Sequence, residues 1–278
     1  MTGGAEWPDG VIREQSTTKP ERRTVSRMNN FGQLFLGEVR KAFTGSIWYR
    51  MLLIGISIAS LSVFGYAVSI PDKIAAGIPI ENATAAAIRF WFMTLLGSGL
   101  FGVVFVAREF SSHSIARSVL LSHSRWRLFW AKTLVCALMG VLYAMVSAVL
   151  VLVSLPIISL VSEENATWSG EAGRTLFGIV VVVIISAPWG AVIGWMLRSN
   201  VSAVGVFLAL TLVVDEGIFR LAPSVGRFTM QISMGAVYRD GKENALSPEW
   251  GAFVMGVWLV LGLTAAMITF RRRDVLGQ

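Results

Sequence analysis

The sequence predicts an all-α polytopic membrane protein with six transmembrane helices, and three observations support this fold class. Of its 278 residues, 54% are hydrophobic and only 15% are charged, whereas soluble domains carry about 25% charged residues. Six apolar runs are each close to the roughly 20 residues that cross the hydrocarbon core of a bilayer. No segment alternates apolar and polar residues over about ten positions, so a transmembrane barrel is not predicted.

The chain divides into a short tail and one transmembrane domain. Residues 1–29 are polar with mixed charge, which is typical of a disordered cytoplasmic tail, and residues 30–278 form the domain. The domain begins with an amphipathic helix over 30–44, which we expect to lie in the membrane interface. Glu38 falls near the middle of its apolar arc and therefore needs a partner. No apolar run precedes the first span, so we predict an anchor rather than a cleaved signal peptide.

The apolar runs set the six predicted spans. They are 47–70, 90–107, 128–155, 176–197, 201–221 and 250–270. Pro71 and Pro156 are expected to end the first and third spans, because proline disrupts a helix. The outer loop 222–249 is the longest of the connections, and two interpretations stay open. It forms either short helices that dip into the outer leaflet or an exposed loop packed on its neighbours.

The distribution of Lys and Arg predicts the orientation. With the N-terminus inside, seventeen of the 24 Lys and Arg residues fall on the inner side and seven on the outer side. Because basic residues concentrate in cytoplasmic loops, both termini are predicted to be cytoplasmic. The net charge of +7 reflects this asymmetry. A nucleic-acid-binding protein of this charge would have a basic soluble domain, and the sequence predicts none. We expect a multi-pass protein of the bacterial cytoplasmic membrane, in contact with membrane lipid.

Motifs for catalysis and for metal binding are missing from the sequence. It contains no G-x-x-x-x-G-K-[ST] phosphate-binding loop, no H-E-x-x-H and no G-x-S-x-G, so neither a catalytic residue nor a metal site is predicted. Cys136 is the single cysteine, and we interpret it as a small apolar residue of the third span. The chain is therefore not expected to be an enzyme.

Two acidic residues interrupt the fifth span. Asp215 and Glu216 lie past the midplane, toward the outer leaflet, and one interpretation is a transmembrane polar site for a coupling ion or a substrate. The interpretation that we favour is that the span breaks early, so that both acids face an outer vestibule. Arg220 follows Glu216 by four residues, so the two side chains are expected to pair.

The loop between spans two and three is the most informative segment. It runs from residue 107 to 128 and is short, basic and partly amphipathic. Ser124 is placed to cap a helix that begins at Arg125 and continues into the third span. The residues alone are also consistent with an ordinary positively charged inner loop.

Several short motifs occur in a characteristic order along the chain. They are Glu38-Val39-Arg40-Lys41 on the interfacial helix, Glu109 at the end of the second span, Leu120-Leu121-Ser122 in the loop, Ser124-Arg125-Trp126-Arg127-Leu128 with Lys132 at the start of the third span, and Arg272-Arg273-Asp274-Val275 near the C-terminus. With six spans and both termini inside, this order resembles the permease subunit of ATP-binding cassette (ABC) exporters of the ABC-2 type.

The resemblance implies a function and a set of partners. Such permeases act as pairs, so a second permease subunit is expected, identical or related. ATP and Mg²⁺ are bound by a separate ABC ATPase subunit, into which the loop between spans two and three docks, so no cofactor is expected in this chain. The residues carried over to that interface are Arg108, Glu109, His113, Arg117, Leu120, Leu121 and Arg125, with Glu38, Arg40 and Lys41 as their support.

The substrate class follows from the resemblance only in outline. An exporter with apolar spans and short loops is expected to move a hydrophobic or amphipathic compound, such as a drug, a peptide antibiotic or a lipid. Two other functions stay open. One is an ion-coupled carrier or channel that uses Asp215 and Glu216. The other is a non-transporting membrane subunit that anchors or senses for a partner.

Overall fold

The computed structural model describes residues 31–112, 114–122 and 124–272, and within these ranges the regular structure is entirely helical. The predicted tail at 1–29 and His113 lie outside them. The α-helices, numbered in chain order, are α1 Phe31–Thr44, α2 Ile47–Val68, α3 Ile70–Ala75, α4 Ile80–Arg89, α5 Thr94–Ser111, α6 Ile115–Ser122, α7 Arg125–Ser162, α8 Gly170–Leu197, α9 Asn200–Ala209, α10 Asp215–Leu221, α11 Pro223–Gly226, α12 Met230–Val237 and α13 Pro248–Arg272.

Six helical stretches of the described chain are long and apolar enough to cross a membrane. They are Ile47–Val68, Ile80–Ser111, Arg125–Ser162, Gly170–Leu197, Asn200–Leu221 and Pro248–Arg272. Each coincides with one of the predicted spans, so the predicted fold class is confirmed. The second stretch combines α4 and α5 through a 3₁₀ turn at Phe90–Met93, and it begins well before the predicted start at residue 90.

The third span does not end at Pro156, as the sequence led us to expect. Helix α7 continues through this proline to Ser162, where Glu163 adopts a left-handed backbone with φ of 57°. A proline removes one backbone hydrogen bond, but neighbouring helices and hydroxyl side chains compensate for this in membrane helices. In the last turn of the helix, the hydroxyl of Ser162 donates to the carbonyl of Ile158 at 2.7 Å.

Helices α5 and α8 form the centre of the bundle. Most of α5 is buried, and its most extensive contact is with α8. Small residues allow this close approach, because a Cβ atom added to Gly102 or Gly190 would overlap a backbone carbonyl of the opposite helix. Ser98 and Ser186 fasten the crossing by donating to the carbonyls of Val183 and Leu95, at 2.7 and 2.8 Å.

The fifth span is continuous, so the predicted early break is wrong. A short π-helical segment, Leu210–Val214, joins α9 to α10, and the helix then continues to Leu221. A π-helical insertion widens one turn and rotates the residues that follow it, and such insertions are frequent at functional sites. Here the segment ends directly before Asp215, which is 7% exposed.

The segment 222–249, which the sequence predicts on the outer side, contains the two short helices α11 and α12, and both pack on neighbouring helices. Helix α11 lies over α10, and α12 packs mainly against α13 and also against α8. Seven of the eight residues of α12 are buried, because its small and apolar side chains fill the space between the outer ends of the spans. Helices α11 and α12 thus form a folded cap at the end of the molecule that is predicted to face outward, and we call it the outer cap.

Candidate functional site

The buried face of α1 contains a carboxylate at its centre. Leu34, Glu38 and Ala42, spaced four residues apart, are each less than 8% exposed. This spacing places all three on one side of the helix, and that side packs on α7. Glu38 therefore lies inside the apolar arc, as predicted, and its charge requires a partner on another element.

Lys132 of α7 is that partner, and it also binds a second carboxylate. Its Nζ lies 2.6 Å from Oε2 of Glu38 and 2.7 Å from Oε1 of Glu109, at the end of α5. The side chain of Lys132 is fully buried, and its ammonium lies 4.6 Å from the ring centroid of Phe105. One lysine thus connects α1, α5 and α7.

Lys41 completes the group from the solvent side. Its Nζ is paired with Glu109 and lies 4.0 Å from Glu38, one turn earlier on α1. Burial, followed by the positive charge of Lys132, lowers the pKa of Lys41 from 10.5 to about 8. We call Glu38, Lys41, Glu109 and Lys132 the charge cluster. Its two acids and two bases balance, which is the condition for burying charge without a large penalty.

One oxygen of the cluster is left without a bond. Oε2 of Glu109 is buried and, among the described residues, has no hydrogen-bond partner. Beside it lies a cavity of about 360 Å³ lined by Lys41, Arg108, Ser112 and Ser114 together with Phe101 and Phe105. Because Lys41 and Glu109 both line this cavity, the cluster is in contact with a space that is large enough for water.

Hydroxyl groups connect Glu109 to the loop that follows it. Ser112 and Ser114 both donate to the backbone carbonyl of Glu109 at 3.5 Å, and their hydroxyls lie 2.9 Å apart. The carbonyl of Ser114 then accepts from the backbone N–H of Ser118 and begins α6. A displacement of α6 would therefore reach the backbone of Glu109 within two hydrogen bonds.

Helix α6 exposes the residues that the sequence singled out. Arg117 is exposed, and Leu120 and Leu121 are 73% and 53% exposed, whereas Ile115 and Ser122 are buried. The helix therefore rests on α7 through one side and presents the other outward. We call Arg117, Leu120 and Leu121 the exposed face of α6. Two leucines at this exposure, next to an arginine, are typical of a protein-binding surface.

The start of α7 agrees with the sequence except in its cap. The helix begins at Arg125, as predicted, and Ser124 has an extended backbone at the N-cap position, but the Ser124 side chain forms no capping hydrogen bond. Instead, Ser122 donates to the carbonyl of Ser124 at 3.2 Å, which closes the turn between α6 and α7 from the other side.

The remaining predicted interface residues lie at different places. Arg108 and Arg40 are exposed, and Arg108 lines the cavity beside Glu109. Arg125 turns toward the last helix and donates to the carbonyls of Phe270 and Arg271 at 3.3 and 3.0 Å. His113 lies outside the described residues. Arg125 thus fastens the end of α13 to the start of α7.

Sequence reasoning did not assign Lys132 to the site, although it contained two signals. Lys132 occurs in the eighth position of a long apolar helix, where a lysine is rare and generally needs an acidic partner. Glu38 had been identified as a carboxylate in need of a partner. Matching the two unpaired charges would have predicted the contact between residues 94 positions apart.

The two acids of the fifth span have different environments. Glu216 pairs with Arg220 at 3.0 Å, as predicted, and also with Lys242 from the outer cap. Asp215 points elsewhere, and its Oδ2 accepts from the backbone N–H of Gln231 at 2.8 Å. The two carboxylates therefore bind different partners within the described chain.

Comparison with known proteins adds no relative. No family model matches the chain, and no curated protein matches it significantly. The function is therefore inferred from the residues and their geometry.

Proposed function

We propose that this chain is the membrane-spanning permease subunit of an ATP-driven ABC exporter of the ABC-2 type. In this proposal, ATP and Mg²⁺ are bound by a separate ATPase subunit, and a second permease subunit, identical or related, completes the transport path in the bacterial cytoplasmic membrane. The observation that carries the proposal is the charge cluster, because it joins the helix before the first span to the two spans that flank α6.

The charge cluster supports a role in force transmission. Helices that transmit a movement must be held rigidly together. Lys132 provides such a link, because it binds acids from two other helices within 2.7 Å. Breaking a buried ion pair by removing one partner costs about 3–5 kcal/mol, so these three elements move as one body. Movement of α6 would pass to that body through the hydrogen bonds of Ser112 and Ser114 to Glu109.

The exposed face of α6 supports a docking role. Leu120 and Leu121 expose large apolar side chains on the side of the molecule that the distribution of Lys and Arg predicts to be cytoplasmic. Exposing such side chains to water is unfavourable in free energy, and a partner that buries them removes this penalty. Arg117 adds a charge that fits an acidic residue of the ATPase. Glu109 and Glu38 are buried, so we assign them to the support of this surface and not to direct contact.

The membrane part is compatible with an apolar or amphipathic substrate. The described spans expose mainly apolar side chains, and the folded outer cap of α11 and α12 lies at the predicted exit side. Drugs, peptide antibiotics and lipids share this chemistry.

A pull-down from native membranes tests the ATPase partnership. The tagged chain is expected to co-purify with an ATPase subunit that contains a phosphate-binding loop. Arg117→Glu and Leu120→Asp are each expected to reduce the recovered ATPase at least about tenfold, because they place a carboxylate against an acidic or apolar groove. Arg50→Glu is the matched control, since Arg50 is an exposed arginine on the same predicted side but on α2.

The same variants are then compared in reconstituted complexes. Arg117→Glu should lower substrate-stimulated ATP turnover while membrane insertion stays normal, and Arg50→Glu should leave the turnover unchanged. A pull-down without any ATPase, or full turnover with Arg117→Glu, would contradict the proposal.

An ion-coupled carrier is the second candidate, because Asp215 is a buried carboxylate within a span. The carrier hypothesis predicts that an ion gradient, and not ATP, drives transport. Uptake or efflux in vesicles that contain this chain alone would follow an imposed ion gradient and stop with Asp215→Asn. The exporter requires ATP and its partner under the same conditions.

A further inference from the structure

A second cavity lies in the outer half of the molecule, away from the charge cluster. Its volume is about 360 Å³, within the range of small-molecule sites. Its wall is formed by the π-helical segment with α10, and by parts of α8, α12 and α13. The residues of this wall that carry the argument are Trp189, Asp215, Ile218, Thr229, Gln231 and Trp258.

The lining of the cavity is mainly apolar, and Asp215 is its one charged residue in the described part of the chain. Two tryptophans, Trp189 and Trp258, meet edge to face in its wall with ring centroids 6.2 Å apart. Asp215 is the charged member and is 93% buried, its exposed fraction being 7%. A carboxylate in such surroundings loses most of its hydration and therefore attracts a cation more strongly than it would at the surface.

The protein itself does not supply that cation. Among the described residues, no lysine or arginine nitrogen lies within 4.0 Å of the Asp215 carboxylate, and Arg220 and Lys242 are both bound to Glu216. Asp215 instead accepts a hydrogen bond from the backbone N–H of Gln231. An ionisable residue inside a membrane span usually has a charged partner or a ligand, and the described part of the chain provides no such charge.

The lining favours an organic cation over a metal ion. A metal ion requires several oxygen ligands or a cluster of acids, histidines and cysteines, and no group of three such residues occurs in the described part of the chain. Aromatic faces, in contrast, attract quaternary and other weakly hydrated cations. Trp189 and Trp258 provide such faces beside the carboxylate.

The cavity opens to the surface of the molecule, because several of its lining residues are exposed. Val214, Val225 and Trp258 on its rim are 39%, 62% and 41% exposed. The predicted orientation places this rim at the depth of the outer leaflet. A ligand that partitions into lipid through its apolar groups would reach the carboxylate without crossing water.

From this geometry, we propose that the cavity around Asp215 is a binding site for an amphipathic organic cation. The apolar wall binds the hydrocarbon part, the two tryptophans bind the cationic centre, and the carboxylate neutralises it. The π-helical segment contributes by turning Asp215 into the cavity while the next residue, Glu216, faces the outer cap. Binding to this site does not depend on the transport function proposed above, since it requires neither ATP nor a partner subunit.

Equilibrium binding of tetraphenylphosphonium to the full chain in lipid nanodiscs tests the site. This probe is a permanent cation with an apolar shell, and triphenylphosphine oxide is its neutral counterpart. We expect saturable binding of the cation, with at least about tenfold weaker binding of the neutral compound, because the carboxylate interacts with net charge. Binding no stronger than to empty nanodiscs, or equal affinity for both probes, would overturn the proposal.

Two variants with one matched control locate the site. Asp215→Asn should weaken binding of the cation about tenfold or more, whereas Glu216→Gln, the neighbouring acid, should change it less than about twofold. Trp258→Leu should weaken binding about threefold or more and Trp258→Phe much less, because phenylalanine keeps an aromatic face. The Trp258 pair keeps the proposal testable if Asp215→Asn does not fold. Equal loss in Asp215→Asn and Glu216→Gln, or full binding in Asp215→Asn and Trp258→Leu, would contradict the assignment.

Discussion

At the scale of single residues, the charge cluster connects α1, α5 and α7 in the half of the molecule that is predicted to be cytoplasmic. Glu38 lies where an apolar residue would be expected on α1, and Lys132 lies where one would be expected on α7. Each of these charges alone would destabilise its helix in an apolar environment. Together with Glu109 they form hydrogen-bonded ion pairs, which require a particular alignment of α1 and α7. An apolar contact of the same size would not require that alignment.

Removing Lys132 should be the most damaging single change in the cluster. Lys132→Met keeps the length of the side chain but leaves Glu38 and Glu109 buried with only Lys41 to neutralise them. We expect a loss of about 3–5 kcal/mol, seen as a lower apparent melting temperature of the purified chain in detergent.

Two further variants distinguish lost charge balance from lost packing. Arg127→Met, an exposed position in the first turn of the same helix, should leave the melting temperature nearly unchanged. The double variant Glu38→Gln with Lys132→Met should be more stable than Lys132→Met alone, because the remaining Glu109 and Lys41 still balance. A double variant less stable than the single variant would show that charge balance is not the cause.

Lys41 should make stability depend on pH in the alkaline range. Its pKa falls from 10.5 to about 8 in the folded chain, so between these two values the unfolded state binds more protons than the folded state. The free energy of unfolding therefore rises with pH across this window. Below pH 8, Lys41 contributes no pH dependence. The guanidinium introduced by Lys41→Arg does not titrate in this range, so wild type should gain stability over that variant between pH 8 and 10.5. Parallel thermal unfolding curves throughout would exclude the lowered pKa.

At the scale of secondary structure elements, the crossing of α5 and α8 is the feature on which the other helices depend. A Cβ atom added to Gly102 of α5 would overlap the backbone of Ala187 on α8, and one added to Gly190 of α8 would overlap the backbone of Gly99 on α5. Without water to drive association, membrane helices gain stability from such close contact. In the structure these glycines pack within the chain.

Gly190→Ala should destabilise the bundle by more than the usual effect of an added methyl group. The new Cβ would overlap the backbone carbonyl of Gly99, which cannot rotate away as a side chain can, and overpacking typically costs about 1–3 kcal/mol. Gly256→Ala in α13 is the control, since nothing lies within 4 Å of its added Cβ and alanine favours helix by up to about 1 kcal/mol. Thermal unfolding should separate the two variants by the sum of these effects. Equal melting temperatures would mean that the two helices separate freely at this point.

At the scale of the whole molecule, the spans were predictable and their contacts were not. Six apolar runs identify six helices because the bilayer imposes both length and composition. The path of α7 beyond Pro156 and the π-helical segment before Asp215 depend on hydrogen bonds and packing from other helices. The sequence shows which residues need a partner, such as Glu38, but the partner's identity follows only from the arrangement of the helices.

The predicted orientation of the whole bundle is open to a direct test. Six spans return the chain to the side on which it began, and the excess of Lys and Arg predicts that this side is the cytoplasm.

Cys136 is the single cysteine of the sequence and is buried, so Cys136→Ala gives a background for introduced cysteines. Ala76→Cys and Thr167→Cys, both exposed in loops, should react with a membrane-impermeant maleimide on intact cells. Thr44→Cys, at the exposed last residue of α1, should react only after the membrane is permeabilised, because the proposed exporter requires the charge cluster and α6 to face the cytoplasm, where they can contact an ATPase. The reverse labelling pattern would place α6 outside the cell, where there is no ATP, and would rule out the proposed exporter whatever the strength of the cluster.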